Sequence, residues 1–444
     1  MNKLEPPSLQ NLAIESLVRN KDLAIDALKA LPAAFFPTLF LEAYRHRCLE
    51  ILKAIVPAWP FPCLPLGSLM MPWNQRVSAV LDGIDVLLAQ SVGPRRCKLQ
   101  VLDLRNTGQE FWTGRTRESV DLTQRRWTSQ CSRMRKPLPL LEVFTRLHIH
   151  DSCPDSFSSH LLQWVKKRKA VHLCFVKVTI VSVILKVDFS TELLCIKELE
   201  VYNTWTFPTL KMFAHLMGKM KNLKKLTLHI DARCNNPRRG RRCVAQFTCQ
   251  FLHLRHLREL YLQSPYFLQG HLEQLLRSLA NPLEVLSLTH CMFTEKDLTH
   301  LFRSPHLTHL KDLCLRGVPL ISVSEPLLAL LEVNAATLQH LDLGLCGLQD
   351  TQLEALLPAL SSCSQLSSLS LHGNCLSMAT LEKLLRFTSG LSRLRQEIYP
   401  APLETFSPQD FCSLRPFLLC SQLFGVLRDI GCSRTILVSP KPCL

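Results

Sequence analysis

Cys314, His340 and Asp342 are the side chains whose types and spacing come nearest to a nucleophilic site. A cysteine beside a histidine that a carboxylate orients is a general arrangement for covalent catalysis. Such a site also needs hydrogen-bond donors for the developing oxyanion and protection from water. The chain contains no G-x-S-x-G, Walker loop, H-E-x-x-H or dinucleotide-binding motif. We therefore predict that the protein is not an enzyme and that these side chains contact a partner.

His148, His150 and Cys153 are close together in sequence, but no second ligand pair follows at metal spacing, and the chain has no C-x-x-C pair. We expect no metal, no other cofactor and no small-molecule substrate. The 19 cysteines and a first segment without an apolar core are typical of reduced thiols, which predicts a location in the cytoplasm and nucleus. The longest apolar stretch, residues 176–187, is too short to cross a bilayer, so no membrane association is expected.

The residues named first lie on copies of one motif, L-x-x-L-x-L, which restarts every 26 to 34 residues. A fixed period of about 20 to 50 residues is typical of a solenoid, and this spelling is that of the leucine-rich repeat. The copies begin at Leu223, Leu257, Leu283, Leu310, Leu338 and Leu366. Another copy begins at Leu99. The predicted fold class is α/β: a horseshoe solenoid with parallel strands on its concave face, helices outside and an N-terminal helical cap.

Within each copy, the second and third leucines share one strand face, because side chains alternate along a strand. We expect that face to pack on the helix of its own repeat. Side chains on the opposite face are not needed by the core and are free to bind a partner protein. The candidates on this concave face are Lys225, Tyr261, Asp312, Arg316, His340, Asp342 and His372.

Two further patterns fit the repeat. Cys291, Cys346 and Asn374 each follow the first leucine of a copy by eight residues, where a side chain can satisfy backbone groups of the turn. Segments between the strands spell L-x-x-L-L, which is familiar from helices that dock onto nuclear receptors. Because the segments recur in phase with the strands, we interpret them as the buried faces of repeat helices. They are residues 272–276, 327–331, 353–357 and 381–385.

The predicted organisation is a helical cap at 1–94, the solenoid at 95–398 and a C-terminal capping region at 399–444. A polar insertion at about 106–140 and a basic loop at about 232–243 are expected to interrupt the solenoid. Apolar periodicity in the cap predicts helices near 9–17, 23–31, 37–56 and 77–90. Four prolines between Pro57 and Pro65 break that pattern.

The net charge of +16 predicts affinity for acidic partners such as nucleic acid or an acidic protein, although a charge spread over a solvated face is an equally good explanation. The basic residues concentrate in two clusters whose composition suits nuclear import or phosphate contact. Neither cluster interleaves aromatic residues that could stack on bases. The clusters are Lys166, Lys167, Arg168 and Lys169, and Arg238, Arg239, Arg241 and Arg242.

Six longer segments resemble the PRAME family. They are WPFPCLPLG at 59–67, VLDGIDVLLAQ at 80–90, PRRCKLQVLDLR at 94–105, VAQFTCQF at 244–251, NPLEVL at 281–286 and YPAPLE at 399–404. The resemblance extends over nearly the whole chain. It implies a leucine-rich repeat protein similar to a substrate receptor of cullin-RING ubiquitin ligases and to a repressor of retinoic acid signalling.

The receptor function implied by the resemblance requires short docking motifs near the N-terminus. Ser8, Leu9, Ala13 and Leu17 fit an elongin-binding box, with alanine where cysteine is commoner. Leu31, Pro32, Phe35 and Leu39 fit a cullin-two box in the expected order. The partners implied are elongins B and C, cullin-two and a target protein. Two alternatives remain: the leucines of the first box only cap the solenoid, or Leu31-Pro32 opens an F-box that recruits a different cullin.

A second function implied by the resemblance belongs to a different class. It is a transcriptional corepressor or regulatory scaffold, acting in retinoic acid signalling and in negative regulation of apoptosis and differentiation, with chromatin or nuclear receptor association and no ligase role. The two functions differ in whether the N-terminal boxes bind elongin and cullin.

Overall fold

The computed structural model describes residues 9–69, 75–90, 96–107, 109–113, 141–150, 153–181, 193–204, 207–231, 237–406, 415–429, 431 and 435–439. The chain divides into two compact units, residues 1–177 and residues 178–444. The sequence did not predict a boundary at this place. No helix in the described ranges is both long and apolar enough to span a bilayer.

The four helices predicted in the cap are present, although the one predicted over residues 23–31 is shorter and one other is divided. Two further helices of unit 1, at residues 109–113 and 156–166, were not predicted. The helices of unit 1 are α1 Leu9–Arg19, α2 Lys21–Ala27, α3 Phe36–Arg45, α4 Leu49–Ile55, α5 Gln75–Ala89, α6 Gln109–Thr113 and α7 Ser156–Lys166. The single helix predicted over residues 37–56 is two helices, α3 and α4. The break falls where Arg47 adopts a positive φ of 57°, a conformation that an α-helix does not contain.

An aromatic cluster forms part of the unit 1 core and includes the start of the predicted polar insertion. The Trp59 ring is buried and lies 5.6 Å from Phe40, and Trp112 stacks 5.3 Å from Phe40. The two indole N–H groups donate to the carbonyls of Cys63 and Pro65, so their polar atoms are satisfied. Asn106, Thr107, Gln109 and Glu110 are exposed as predicted, whereas Phe111 and Trp112 are half-buried. Residues 114–140 of the insertion lie outside the described residues.

Parallel strands begin earlier in unit 1 than predicted. Strand β1, Cys63–Pro65, pairs with β2, Val101–Asp103, and β2 pairs with β3, Leu141–His150. The proline-rich segment thus ends in an edge strand, a position that tolerates proline because one side of the strand needs no ladder hydrogen bonds. Strand β4, Cys153–Pro154, pairs antiparallel with β3, and β5 runs over Val171–Ile180.

Unit 2 is the leucine-rich repeat solenoid that the sequence predicts. Its strands pair in parallel with the next strand along the chain. They are β6 Glu198–Thr204, β7 Lys225–Asp231, β8 Glu259–Gln263, β9 Val285–Thr289, β10 Asp312–Cys314, β11 His340–Asp342, β12 Ser368–Ser370, β13 Gln396–Pro400 and β14 Thr435–Ser439. The helices alongside are α8 Phe207–Met217, α9 Pro237–Thr248, α10 Leu272–Arg277, α11 Glu295–Phe302, α12 Ser324–Val333, α13 Asp350–Ser362, α14 Met378–Thr388 and α15 Arg415–Asp429.

A leucine ladder runs through the core of unit 2. Strands β7 to β12 each carry a buried leucine that pairs in register with that of the next strand: Leu226, Leu260, Leu286, Leu313, Leu341 and Leu369. Each fully buried leucine contributes about 1.5–3 kcal/mol relative to an exposed one. The L-x-x-L-L leucines are buried too, as in Leu353, Leu356 and Leu357 of α13. They form the inner faces of repeat helices, as predicted.

The Asn and Cys positions after the strands satisfy the turns. The Asn374 side chain accepts hydrogen bonds from the backbone N–H groups of Cys346 and Leu348 and donates to two carbonyls, those of Leu343 and Leu371. The Cys346 thiol lies 3.0 Å from the carbonyl of Leu315. The prediction for this turn position is confirmed.

Two segments that were predicted without regular structure contain a helix and a strand. Within the predicted basic loop, helix α9 begins at Pro237 and buries Val244 and Phe247. Within the predicted capping region, β14 pairs with β13 over five residues, so this region adds a further parallel strand.

Each regular repeat contains a left-handed backbone position shortly after its strand. These positions are Ser264, His290, Gly317, Leu345 and Gly373, with φ between 49° and 70°, and the repeat of β11 has a second one at Gly347. At Gly373, with φ of 68°, an added Cβ would also lie 2.3 Å from the Leu345 Cδ2 atom. Glycine is required there both by the backbone and by the neighbouring turn.

We predict that Gly373→Ala lowers the free energy of unfolding by about 1–2 kcal/mol, because alanine is strained at positive φ and contacts Leu345. Urea unfolding of the full chain measures this. Gly390→Ala is the matched control, since no heavy atom lies within 4 Å of its added Cβ. Equal effects of the two substitutions would contradict this explanation of the turn.

Candidate functional site

The outward side chains of β7 to β12 form a surface that we call the open strand face. In register, Lys225 aligns with Glu259, Val285, Asp312, His340 and Ser368. A second row aligns Thr227 with Tyr261, Ser287, Cys314, Asp342 and Ser370. The strand alternation therefore places the predicted partner-binding residues on one face.

A cavity of about 480 Å³ opens on this face. Six of the seven predicted concave-face residues line it: Tyr261, Asp312, Arg316, His340, Asp342 and His372. The seventh, Lys225, lies with its Nζ atom 4.7 Å from the centre of the Tyr261 ring. The structure thus brings all seven predicted residues together.

Arg316, His372 and Ser370 form a hydrogen-bonded chain at one side of the cavity. The Arg316 Nη2 atom is 2.7 Å from His372 Nε2, and Ser370 Oγ is 2.9 Å from His372 Nδ1. Because a guanidinium can only donate, Nε2 accepts and Nδ1 carries the ring proton. Gly344 makes room for the ring, since a Cβ there would lie 2.2 Å from His372 Cε1.

The carboxylates of the cavity are held differently from one another. Asp342 Oδ1 accepts a hydrogen bond of 2.9 Å from the backbone N–H of Gly344. Within the described part of the chain, no lysine, arginine or histidine nitrogen lies within 4.0 Å of this carboxylate. Asp312 Oδ1, by contrast, is 3.8 Å from His340 Nε2. Among the described residues, the Asp342 carboxylate therefore has no adjacent basic side chain.

Tyr261 is hydrogen-bonded to a third carboxylate of the face, that of Glu259. Its hydroxyl donates to Glu259 Oε2 at 3.3 Å, and Glu259 is also 3.9 Å from Lys225 Nζ. Burial of the phenol and the Glu259 charge both disfavour the phenolate, which raises the pKa of Tyr261 to about 12. Tyr261 is thus a neutral hydrogen-bonding aromatic side chain at physiological pH.

Cys314, His340 and Asp342 line the same cavity but do not form a nucleophilic arrangement. Burial raises the pKa of the Cys314 thiol, and the nearby Asp342 charge raises it further. A protonated thiol is a poor nucleophile. The Cys314 Sγ atom contacts Asp342 Oδ2 at 3.9 Å, whereas the His340 ring lies beside Asp312. These contacts favour binding over covalent chemistry.

Helix α1 carries the predicted elongin box and packs through other residues. Ile14 and Val18 are 2% and 6% exposed, whereas Leu9 is 86% and Leu12 is 47% exposed. Ala13 is exposed and Leu17 is half-buried. Ser8 lies outside the described residues. The apolar residues of the box are therefore exposed at Leu9 and Ala13 and half-buried at Leu17.

The predicted cullin box is divided between surface and core. Pro32 is exposed, and Leu31 and Phe35 are half-buried. Leu39 is fully buried in α3. A partner can contact Pro32 and Phe35 at this site, while Leu39 stabilises the helix from inside.

The basic clusters are less uniform than their sequences suggest. Arg168 donates two hydrogen bonds of 2.5 Å to the Asp85 carboxylate, so its charge is already paired. The remaining lysines of that cluster, Lys166, Lys167 and Lys169, are exposed. In α9, Arg241 and Arg242 are exposed, and the side chains of Arg238 and Arg239 lie outside the described residues.

Sequence reasoning missed two parts of the sites. Ile398 and Ser439 line the cavity from β13 and β14, strands that the leucine pattern does not mark. The packing face of α1 was missed as well. The sequence signal for this face was the pair Ile14 and Val18, which are four residues apart and both β-branched.

The fold is that of a leucine-rich repeat protein. The sequence matches the PRAME N-terminal domain over residues 6–112 and the PRAME C-terminal domain over residues 141–444. The chain belongs to the PRAME family.

Relatives align with the chain over almost its full length. It is 46% identical over 458 residues to human PRAME family member 12, covering 100% of this chain and 94% of the relative. It is 44% identical over 452 residues to human PRAME family member 7, covering 99% and 95%. A crystal structure of a Bacteroides fragilis protein, with a TM-score of 0.29 and 14% identity over 58% of this chain and 65% of that one, is too distant to inform function.

We predict that the phenol of Tyr261 titrates near pH 12, because burial and Glu259 disfavour its ionised form. The difference in ultraviolet absorbance between the wild type and Tyr261→Phe, followed against pH, isolates this group. In a Glu259→Gln background the midpoint should fall, since the carboxylate is removed. A midpoint near the ordinary value of about 10 in the wild type would contradict the described environment.

Proposed function

We propose that this chain is the substrate-recognition receptor of a cullin-RING ubiquitin ligase of the cullin-two and elongin type. In this function α1 binds the ligase, and the open strand face binds the target protein. The chain acts by binding and catalyses no reaction itself. The observation that carries the proposal is the exposed apolar stripe of α1.

The α1 stripe has the properties of a helix that docks in a groove. Leu9 and Ala13 are exposed although both are apolar, and Leu17 is half-buried one turn further along the same side. Ile14 and Val18 hold the helix to unit 1 from another side. Docking would bury leucine side chains at no cost to the core, and each buried leucine contributes about 1.5–3 kcal/mol.

Pro32 and Phe35 extend the proposed ligase contact. They follow α2 and precede α3, and both have exposed surface. With Leu39 in the core, we assign the cullin contact to Pro32 and the half-buried Leu31 and Phe35. The buried Leu39 keeps α3 in place behind them.

The open strand face supports target binding. Its cavity combines an aromatic ring, an arginine and two aspartates, and aromatic and arginine side chains dominate the binding energy of protein interfaces. None of these side chains is needed by the leucine ladder. They can therefore differ between related proteins without loss of the fold.

A second candidate is a regulatory scaffold in transcription, without a ligase. The exposed Lys166, Lys167 and Lys169 of unit 1 and the exposed Arg241 and Arg242 of unit 2 favour it. Such residues suit phosphate contact or nuclear import. In this case the partners include chromatin or a nuclear receptor, and the protein acts in the nucleus.

We predict that Leu9→Ala with Leu17→Ala weakens binding of the purified full chain to an elongin B/C–cullin-two complex by at least tenfold, because two apolar anchors are lost. Biolayer interferometry measures the affinity, and thermal melting checks the fold. Leu252→Ala is the control, since this leucine of unit 2 is 54% exposed and outside the box. Wild-type protein that does not bind, or a double variant that binds like the wild type, would refute the ligase function and favour the scaffold.

A further inference from the structure

The cavity on the open strand face contains two opposite charges that lack opposite-charge partners. Asp342 has no cationic nitrogen within 4.0 Å among the described residues. The exposed Arg316 is bonded to the His372 ring, and within the same described ranges no carboxylate lies within 4.0 Å of it. Both line the one cavity.

The other carboxylates of the face each have a basic neighbour. Glu259 is bonded to Tyr261 and lies 3.9 Å from Lys225. Asp312 lies 3.8 Å from His340, which is a cation only when it is protonated. Among the described charges of the face, Asp342 and Arg316 are therefore the ones without an adjacent side chain of the opposite kind, and the surface is neither acidic nor basic throughout.

Asp342 lies on β11, and Arg316 lies two residues beyond the end of the neighbouring strand β10. Asp342 pairs in register with Cys314, and Arg316 follows Cys314 by two residues on the same face of the sheet. The carboxylate and the guanidinium are thus diagonal neighbours, too far apart for an ion pair. A ligand that spans them must present a cation and an anion a short distance apart.

We propose that the target of this face is a protein segment that carries an arginine or lysine close to an aspartate or glutamate. The basic side chain enters the cavity to meet the Asp342 carboxylate, with Asp312 adding negative potential. The acidic side chain meets the Arg316 guanidinium, which can hold a carboxylate by two hydrogen bonds. This inference rests on the proposed function of the face as the target-binding surface and names the chemistry of the target.

Two substitutions separate the halves of this site while keeping its internal hydrogen bonds. Asp342→Asn retains the oxygen that accepts from the Gly344 N–H. Arg316→Gln retains an N–H donor for His372 Nε2. Asp429→Asn is the matched control for loss of a charge, because Asp429 is an exposed residue of α15 outside the cavity.

The experiment measures binding of the full chain to pools of short, otherwise randomised peptides by fluorescence anisotropy. Each pool fixes two positions of the peptide as Arg and Glu, Arg and Ala, Ala and Glu, or Ala and Ala. The two fixed positions are adjacent in one set of pools and further apart in the others. The wild type and the control should bind the Arg–Glu pool about tenfold or more tightly than the Ala–Ala pool. Asp342→Asn should remove the preference for Arg and keep that for Glu. Arg316→Gln should do the reverse.

The proposal is overturned if the wild type binds the Ala–Ala pool as well as the Arg–Glu pool, or binds no pool. It is also overturned if either substitution weakens all pools equally. These outcomes are independent of the elongin measurement, because the peptides contact unit 2 and the ligase contact is assigned to α1. Failure of the peptide preference with intact elongin binding would leave the ligase function in place.

Discussion

The leucine ladder of unit 2 is the interaction on which the other features of that unit depend. Strands β7 to β12 each place one inward leucine in register with that of the next strand, and the strand alternation then directs the neighbouring residues to the opposite face. Since the ladder and the repeat helices supply the core, side chains such as those of Tyr261, Arg316 and Asp342 are not needed to pack it. The glycines and the asparagine of the turns support the ladder, because they let successive strands stay in register. The same alternation that packs the leucines inward therefore places the candidate binding side chains on the open strand face.

The sequence predicts the fold where the leucine period is regular and fails where another residue takes a leucine's place. At β13 the inward position that pairs with Leu369 is Glu397, and the third leucine position is occupied by Tyr399. The Tyr399 hydroxyl donates to the Glu397 carboxylate inside the core. A pattern based on apolar residues cannot predict such a pair. Phe111 and Trp112 were missed for a related reason, since their packing partners are distant in sequence.

The membership of the open strand face could be predicted, but its electrostatics could not. Alternation alone assigns Lys225, Asp312 and His340 to the face. Whether a charge is compensated depends on contacts between strands, such as Lys225 with Glu259, or between distant helices, such as Arg168 with Asp85. The same holds for α1, whose stripe of Leu9, Ala13 and Leu17 is clear in the sequence. Which side of that helix packs is decided by its tertiary neighbours.

The central claim is that the chain has separate surfaces for a ligase and for a target. Hydrogen–deuterium exchange of the full chain, alone and with an elongin B/C–cullin-two complex, tests it most directly. We expect protection on binding in peptides covering residues 9–45 and no change in those covering residues 312–342. Protection over the strands of unit 2, or no protection near α1, would contradict the claim.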